Sequence, residues 1–111
     1  MLALDPLSWV LWSDDALLVI NKPAGLPTLP DGYHPAAPYL KGVVQAALGP
    51  VWVVHRLDKD TSGLLVLARS AEAHRSLNEQ FERRQVSKTY HAILVGSPDW
   101  DEKTVRLPLR V

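Results

Sequence analysis

Between the apolar stretches 51–54 and 64–68 the sequence reads His55-Arg56-Leu57-Asp58-Lys59-Asp60-Thr61-Ser62-Gly63. A tight turn needs a glycine and at most one Asp or Asn. This connection carries two carboxylates, an imidazole, two further cationic side chains and two hydroxyls. Such a set suits nucleophilic, acid–base or metal chemistry. Calcium is the first possibility, because Asp58, Asp60, Ser62 and Gly63 imitate the opening of an EF-hand loop. That loop needs a bidentate carboxylate at its twelfth position and helices on both sides. Here the twelfth position is Arg69, and the flanks read as strands.

A second possibility is phosphoryl transfer. Asp58-Lys59-Asp60-Thr61 after an apolar strand resembles the haloacid-dehalogenase phosphatases, whose first carboxylate is a nucleophile and whose second is a general acid. In that family the strand runs straight into the first aspartate, whereas His55-Arg56 intervenes here.

The whole string HRLDKDTSGLLVLA closely resembles the signature of the RluA-type pseudouridine synthases, H-R-L-D-x-x-T-S-G-L-L-(apolar)-x-A. LLVINKPAGLPT is similar to that family's early strand and N-K-P-x-G loop. NEQFERRQVSKTYHAILVG is similar to its helix-to-strand segment, with F-x-x-R and K-x-Y-x-A. The resemblance spans about residues 8–110. It implies an RNA-modifying isomerase that needs no cofactor and no metal, acting on tRNA or rRNA.

The resemblance also implies roles. Asp58 is the nucleophile, which is chemically sensible because an aspartate carboxylate is ionised at neutral pH and needs no activating base. Tyr90 stacks on the target base and helps move a proton; its plainer reading is a half-buried strand tyrosine. Arg56 helps displace the base from its stack, a task suited to a flat cation; its plainer reading is an ion pair with Asp60. Lys22 is expected to meet an RNA phosphate, with Arg83, Arg84 and Lys88 as further candidates. His55, Thr61, Ser62 and Gly63 are expected to shape the loop. The His55 nitrogens would bond to backbone, the hydroxyls to the loop's own amides, and Gly63 would allow close backbone approach.

These residues need elements to hold them. WVLW and ALLVIN read as strands joined at Ser13-Asp14-Asp15. Residues 22–38 form a long loop with five prolines and two glycines. Leu40, Val43, Val44, Ala47 and Leu48 share a helical face, with Pro38 in the first turn and Gly49-Pro50 as the stop. VWVV reads as a central strand and LLVLA as a second buried one. Ser70 caps a helix over 71–85 with Ala73, Leu77 and Phe81 on one face. SKTYHAILVG and TVRLPLRV then read as strands. The pattern is α+β: a mixed, largely antiparallel sheet with flanking helices.

The 111 residues suit one domain, and a hydrophobic fraction of 47% excludes disorder. With no cysteine there is no disulfide or thiolate metal site. No apolar run reaches the ~20 residues of a membrane span, and the N-terminus lacks a basic leader, so a cytoplasmic protein is expected. The net charge is zero, but residues 55–91 hold seven basic against five acidic residues, so the positive charge gathers around the loop. The family's later R-T-H-Q-type segment has no match here. Residues 1–111 are therefore expected to be the N-terminal portion of one pseudouridine-synthase-like catalytic domain, truncated and without an S4 domain. Two alternatives remain at this point: a truncated, non-catalytic RNA-binding fragment, and the Asp-nucleophile phosphatase.

Overall fold

The computed structural model describes residues 4–106. A 3-10 turn at Pro6–Trp9 leads into β1 (Val10–Ser13), which turns back into β2 (Leu17–Lys22). Asp14 shapes the hairpin: Leu17 and Ala16 each donate a backbone N–H to its Oδ1 at 2.8 Å, and the Trp12 indole donates to its Oδ2 at 3.1 Å. The bond from Leu17, then those from Trp12 and Ala16, hold its carboxyl below the ordinary value. The long loop then leads to α1 (Leu40–Leu48), β3 (Trp52–Val53), β4 (Gly63–Ala68) and α2 (Ala71–Glu82).

The four strands form one antiparallel sheet in the order β1-β2-β4-β3. β2 and β4 pair along their whole length, from Leu17 opposite Ala68 to Lys22 opposite Gly63. Alternation puts Leu18 and Ile20 of β2 and Leu65 and Leu67 of β4 on one face, each at most 1% exposed. Leu40 and Val44 of α1 pack on that face with Leu26, Val51 and Leu57. Each fully buried aliphatic side chain contributes about 1.5–3 kcal/mol. Arg69 ties the hairpin to α1, donating to Ser13 Oγ at 2.7 Å and to the Leu48 carbonyl at 3.3 Å.

The hairpin and both helices are present close to where the pattern put them, and the details differ in several places. Pro38 lies before α1, not in its first turn, and Tyr39 takes the N-cap position. The strand expected over 51–54 shrinks to β3 and lies at the sheet edge, not its centre. Its apolarity has another cause: Val51 enters the core, and the Trp52 ring stacks near His74 of α2 at 6.5 Å. The second face of β4 is covered only towards its end: Leu64 is 63% exposed, Val66 half-buried and Ala68 buried.

The largest correction concerns SKTYHAILVG. Residues 87–96 form no strand, and Ile93 and Val95 are fully exposed. β-branched composition favours a strand only when a neighbour supplies hydrogen bonds and burial, and no described strand pairs with this segment. Residues 104–106 are likewise irregular, and the remainder of the expected final strand lies outside the described residues.

Ser70 caps α2 as expected, its Oγ accepting from the Ala73 N–H at 3.1 Å. The helix stops at Glu82, three residues early. Arg84 N–H donates to Phe81 O at 3.2 Å and Gln85 N–H to Gln80 O at 2.9 Å, the paired bonds of a Schellman ending. That ending needs a left-handed residue, and Arg84 takes it at φ 54°. Arg84→Gly is therefore expected to stabilise the protein by about 1 kcal/mol, read as a higher urea midpoint. A lower midpoint would contradict this account of the helix end.

Candidate active site

The H-R-L-D-x-x-T-S-G loop spans the gap between β3 and β4, and Thr28 of the proline-rich loop and Lys22 at the end of β2 hold it. Thr28 is 2% exposed. Its hydroxyl donates to the Leu57 carbonyl at 2.9 Å and accepts the Leu57 N–H at 3.3 Å. The Thr28 and Pro27 carbonyls in turn accept the Lys41 and Leu40 N–H groups at the start of α1. One threonine thus fastens both the helix and the residue before Asp58.

Lys22 fastens the other side. It follows Leu18 and Ile20 at intervals of two, so the strand turns it into the core, where it is 0% exposed. Its ammonium donates to the carbonyls of Leu26 at 2.6 Å, Pro23 at 2.8 Å and Lys59 at 3.0 Å. The Gly25 N–H donates to the same Lys59 carbonyl at 2.8 Å. Burial pushes the Lys22 ammonium below the usual lysine value, opposed by the charges of Asp60 and Asp58. All three donors are engaged within the protein, so Lys22 does not reach an RNA phosphate. It is an anchor for the loop.

Asp58 sits between these two pinned residues, exposed, and its carboxylate makes no ion pair or hydrogen bond among the described residues. The Thr61 N–H donates to the Asp58 carbonyl at 3.0 Å, closing the turn. An exposed carboxylate on a backbone held from both sides can attack a carbon or take a proton without first breaking a bond of its own.

Arg56 is also exposed, and no ion pair with Asp60 forms. Gly63 takes φ 134°, and a Cβ there would meet nothing within 4 Å. Glycine is required for its conformation, not for close approach. Thr61 and Ser62 use neither hydroxyl on the loop's amides, contrary to expectation. The hydroxyl that does bond this loop's backbone is that of Thr28.

His55 meets the expectation at one nitrogen. Its Nε2 accepts the Val66 N–H at 2.9 Å, which places the ring proton on Nδ1, and Nδ1 is buried without a partner. The ring stacks on Phe81 at 4.6 Å. Desolvation, with the nearby Lys88 charge, lowers its pKa below the ordinary 6.5. As pH falls below about 6.5 the unfolded chain takes up this proton and the folded chain does not, so stability declines. The decline levels off once the pH is below the folded-state value. The urea midpoint is expected to drop between about pH 7 and pH 5, and less so in His55→Gln, whose amide oxygen accepts from Val66 without titrating. Equal slopes in the two proteins would remove His55 from this role.

A cavity of about 490 Å³ joins the loop to the segment after α2. His55, Thr61, Ser62, Phe81, Lys88 and Tyr90 are among its walls. Tyr90 is thus brought to the loop, though on an irregular segment and 61% exposed. Leu57 and Thr61 line the cavity, while Asp58 between them does not. Lys88 lies 5.3 Å from the centre of the Phe81 ring. Arg83 pairs with Glu79 at 2.7 Å on the exposed face of α2. No three His, Asp or Glu residues gather into a metal-binding group among the described residues.

Residues 16–111 match the RNA pseudouridylate synthase family. The chain belongs to that family. A pseudouridine synthase of Zymomonas mobilis, itself uncharacterised, is 44% identical over 90% of this chain and 47% of its own length. The dual-specificity RNA pseudouridine synthase RluA of Vibrio parahaemolyticus is 36% identical over 95% of this chain and 42% of its own. The ribosomal large subunit pseudouridine synthase D of Pseudomonas aeruginosa is 41% identical over 78% of this chain and 29% of its own. Among solved structures, human RNA pseudouridylate synthase domain containing 4 superposes with a TM-score of 0.57 at 33% identity, covering 72% of this chain and 31% of that one. The RluA-type resemblance and the α+β, pseudouridine-synthase-like fold both stand. The chain spans less than half the length of these relatives. Among the described residues no helix is long and apolar enough to cross a membrane.

Proposed function

We propose that Asp58 is the catalytic carboxylate of an RNA pseudouridine synthase and that residues 1–111 form part of its single catalytic domain. The observation that carries this reading is the loop itself: an exposed carboxylate, unpaired among the described residues, whose two neighbours are pinned by Thr28 and Lys22. In the reaction the C1′–N1 bond of a uridine breaks, the base turns, and a C1′–C5 bond forms. The hydrogen at C5 leaves to solvent and N1 gains one, so the change is an isomerisation. Asp58 acts at the ribose. Tyr90, on the wall of the cavity, stacks on the base, and Arg56 helps hold the base out of its helix. Thr61, Ser62 and Gly63 form the turn on which this happens, and His55 supports it from below.

The relative named for the ribosomal large subunit supports rRNA as the substrate. The sequence resemblance adds tRNA, and either RNA would be met in the cytoplasm. Lys88 brings positive charge to the cavity wall, with Arg84 and the Glu79-paired Arg83 shortly before it in the chain, and such charge is the source of salt-dependent RNA affinity.

Incubation with unmodified tRNA and rRNA, digestion to nucleosides and chromatography would test this reading. A pseudouridine peak growing at the expense of uridine is the expected result. No such peak, with magnesium-dependent hydrolysis of a simple phosphate ester instead, would return the assignment to the phosphatase alternative.

A further inference from the structure

We propose that the turn at residues 30–35, with the hollow between it and the Asp58 loop, is a second nucleotide subsite. It would hold an RNA base near the target uridine. The inference rests on the synthase reading above and extends it to a surface outside the large cavity.

Tyr33 is 92% exposed at the tip of this turn. Its ring is free but its backbone is not. The Tyr33 N–H donates to Asp31 Oδ1 at 2.9 Å, the His34 N–H to Asp31 O at 3.1 Å, and the Ala37 N–H to His34 O at 3.0 Å. A tyrosine on a fixed backbone has only two side-chain torsions to lose on contact, so it binds a flat partner at low entropic cost. Every base offers a flat face.

Beside the turn lies a hollow of about 210 Å³. Leu26, Pro27 and Pro38 give it apolar walls, and Asp31, His34 and Lys59 give it polar ones. Its volume falls below the ~300–1,000 Å³ typical of drug-sized ligands, which suits a single ring system. Lys59 directly follows Asp58 and has no ion-pair partner among the described residues. The Lys59 carbonyl is held by Gly25 and Lys22, so hollow and catalytic loop form one rigid unit. Lys59 can meet a phosphate while Tyr33 stacks on the attached base. Asp31 is the opposing charge; one of its oxygens is already engaged by Tyr33, and the other can accept from a ribose 2′-hydroxyl.

RNA fits this surface better than a protein does. Lys59 lines the hollow without an ion-pair partner among the described residues, so this surface offers a cation for a phosphate as well as a flat ring for a base. An exposed ring on the turn whose Asp31 and His34 line the hollow, with Lys59 on the hollow's wall, suits a single nucleotide.

The test uses a fluorescein-labelled RNA hairpin with a uridine-rich loop, and the same hairpin carrying 2-aminopurine in that loop. The intact protein is compared with Tyr33→Ala, Tyr33→Phe and Lys59→Ala. Tyr33→Ala is expected to weaken binding about tenfold and to lose the 2-aminopurine quench, while Tyr33→Phe keeps both. Lys59→Ala is expected to lower the salt dependence by about one phosphate contact. Parent-like affinity and quench in Tyr33→Ala would overturn the subsite and leave the exposed ring to a protein partner. A parent protein that binds no RNA at all would overturn the synthase reading together with it. Tyr33 makes no buried contact, so circular dichroism of Tyr33→Ala should match the parent.

Discussion

Lys22→Met is expected to cost about 3 kcal/mol of stability and about 100-fold of isomerase activity. Methionine keeps the apolar stem of the lysine and removes its three donors. The Pro23 and Leu26 carbonyls then lose their partner, while Lys59 O keeps the Gly25 N–H. Each buried polar group left unpaired costs about 1–3 kcal/mol, and hydrogen bonds from a charged donor are the stronger kind. The activity loss has a different origin. The Lys59 carbonyl is one of two fixed points around Asp58, and a displacement of about 1 Å at a reacting group can cost 10²-fold. Lys103→Met, at an exposed lysine, should change stability by no more than about 0.5 kcal/mol. Urea midpoints measure the first effect, and turnover of protein shown to be folded measures the second. An active, fully stable Lys22→Met would mean that the Lys22 ammonium does not hold the catalytic loop. Weakened RNA binding with unchanged stability would restore Lys22 to the phosphate role that its burial denies it.

Asp58→Asn is expected to lower isomerase activity by about 10⁴-fold or more while changing stability by no more than about 0.5 kcal/mol. The carboxamide has the shape of the carboxylate without its charge or its nucleophilic oxygen. The stability expectation follows from exposure: the carboxylate makes no described hydrogen bond or ion pair for the fold to lose. RNA affinity should be retained or slightly raised, because one negative charge near the phosphates is removed. The pairing of intact folding and binding with lost turnover separates a catalytic group from an anchor such as Lys22.

The site was legible in the sequence as a motif and only partly as a geometry. The paired apolar runs and the Asp14 turn gave the hairpin, and apolar spacing gave both helices. The burial of Lys22 turns on one residue of strand boundary. The apolar pattern ends the strand at Asn21 and leaves Lys22 to the loop, whereas β2 runs on to Lys22, and parity with Leu18 and Ile20 then turns it into the core. Thr28 carried no such signal. Its partner is Leu57, 29 positions away, and nothing local in a threonine between two prolines names a distant backbone group. Gly63 is needed for φ and not for space, a distinction that the backbone angle carries and the residue type does not. Residues 87–96 have strand composition and no strand, because a strand is a property of two paired segments.

The central claim, that Asp58 drives formation of a C1′–C5 bond, is most directly tested by hydrogen release from C5. RNA carrying [5-³H]uridine would be incubated with the parent protein and with Asp58→Asn, both shown by circular dichroism to be folded. Tritium released to solvent by the parent and absent with Asp58→Asn is the predicted result. Equal release by the two proteins would contradict the account, because the bond to C5 would then form without the carboxylate on which it rests.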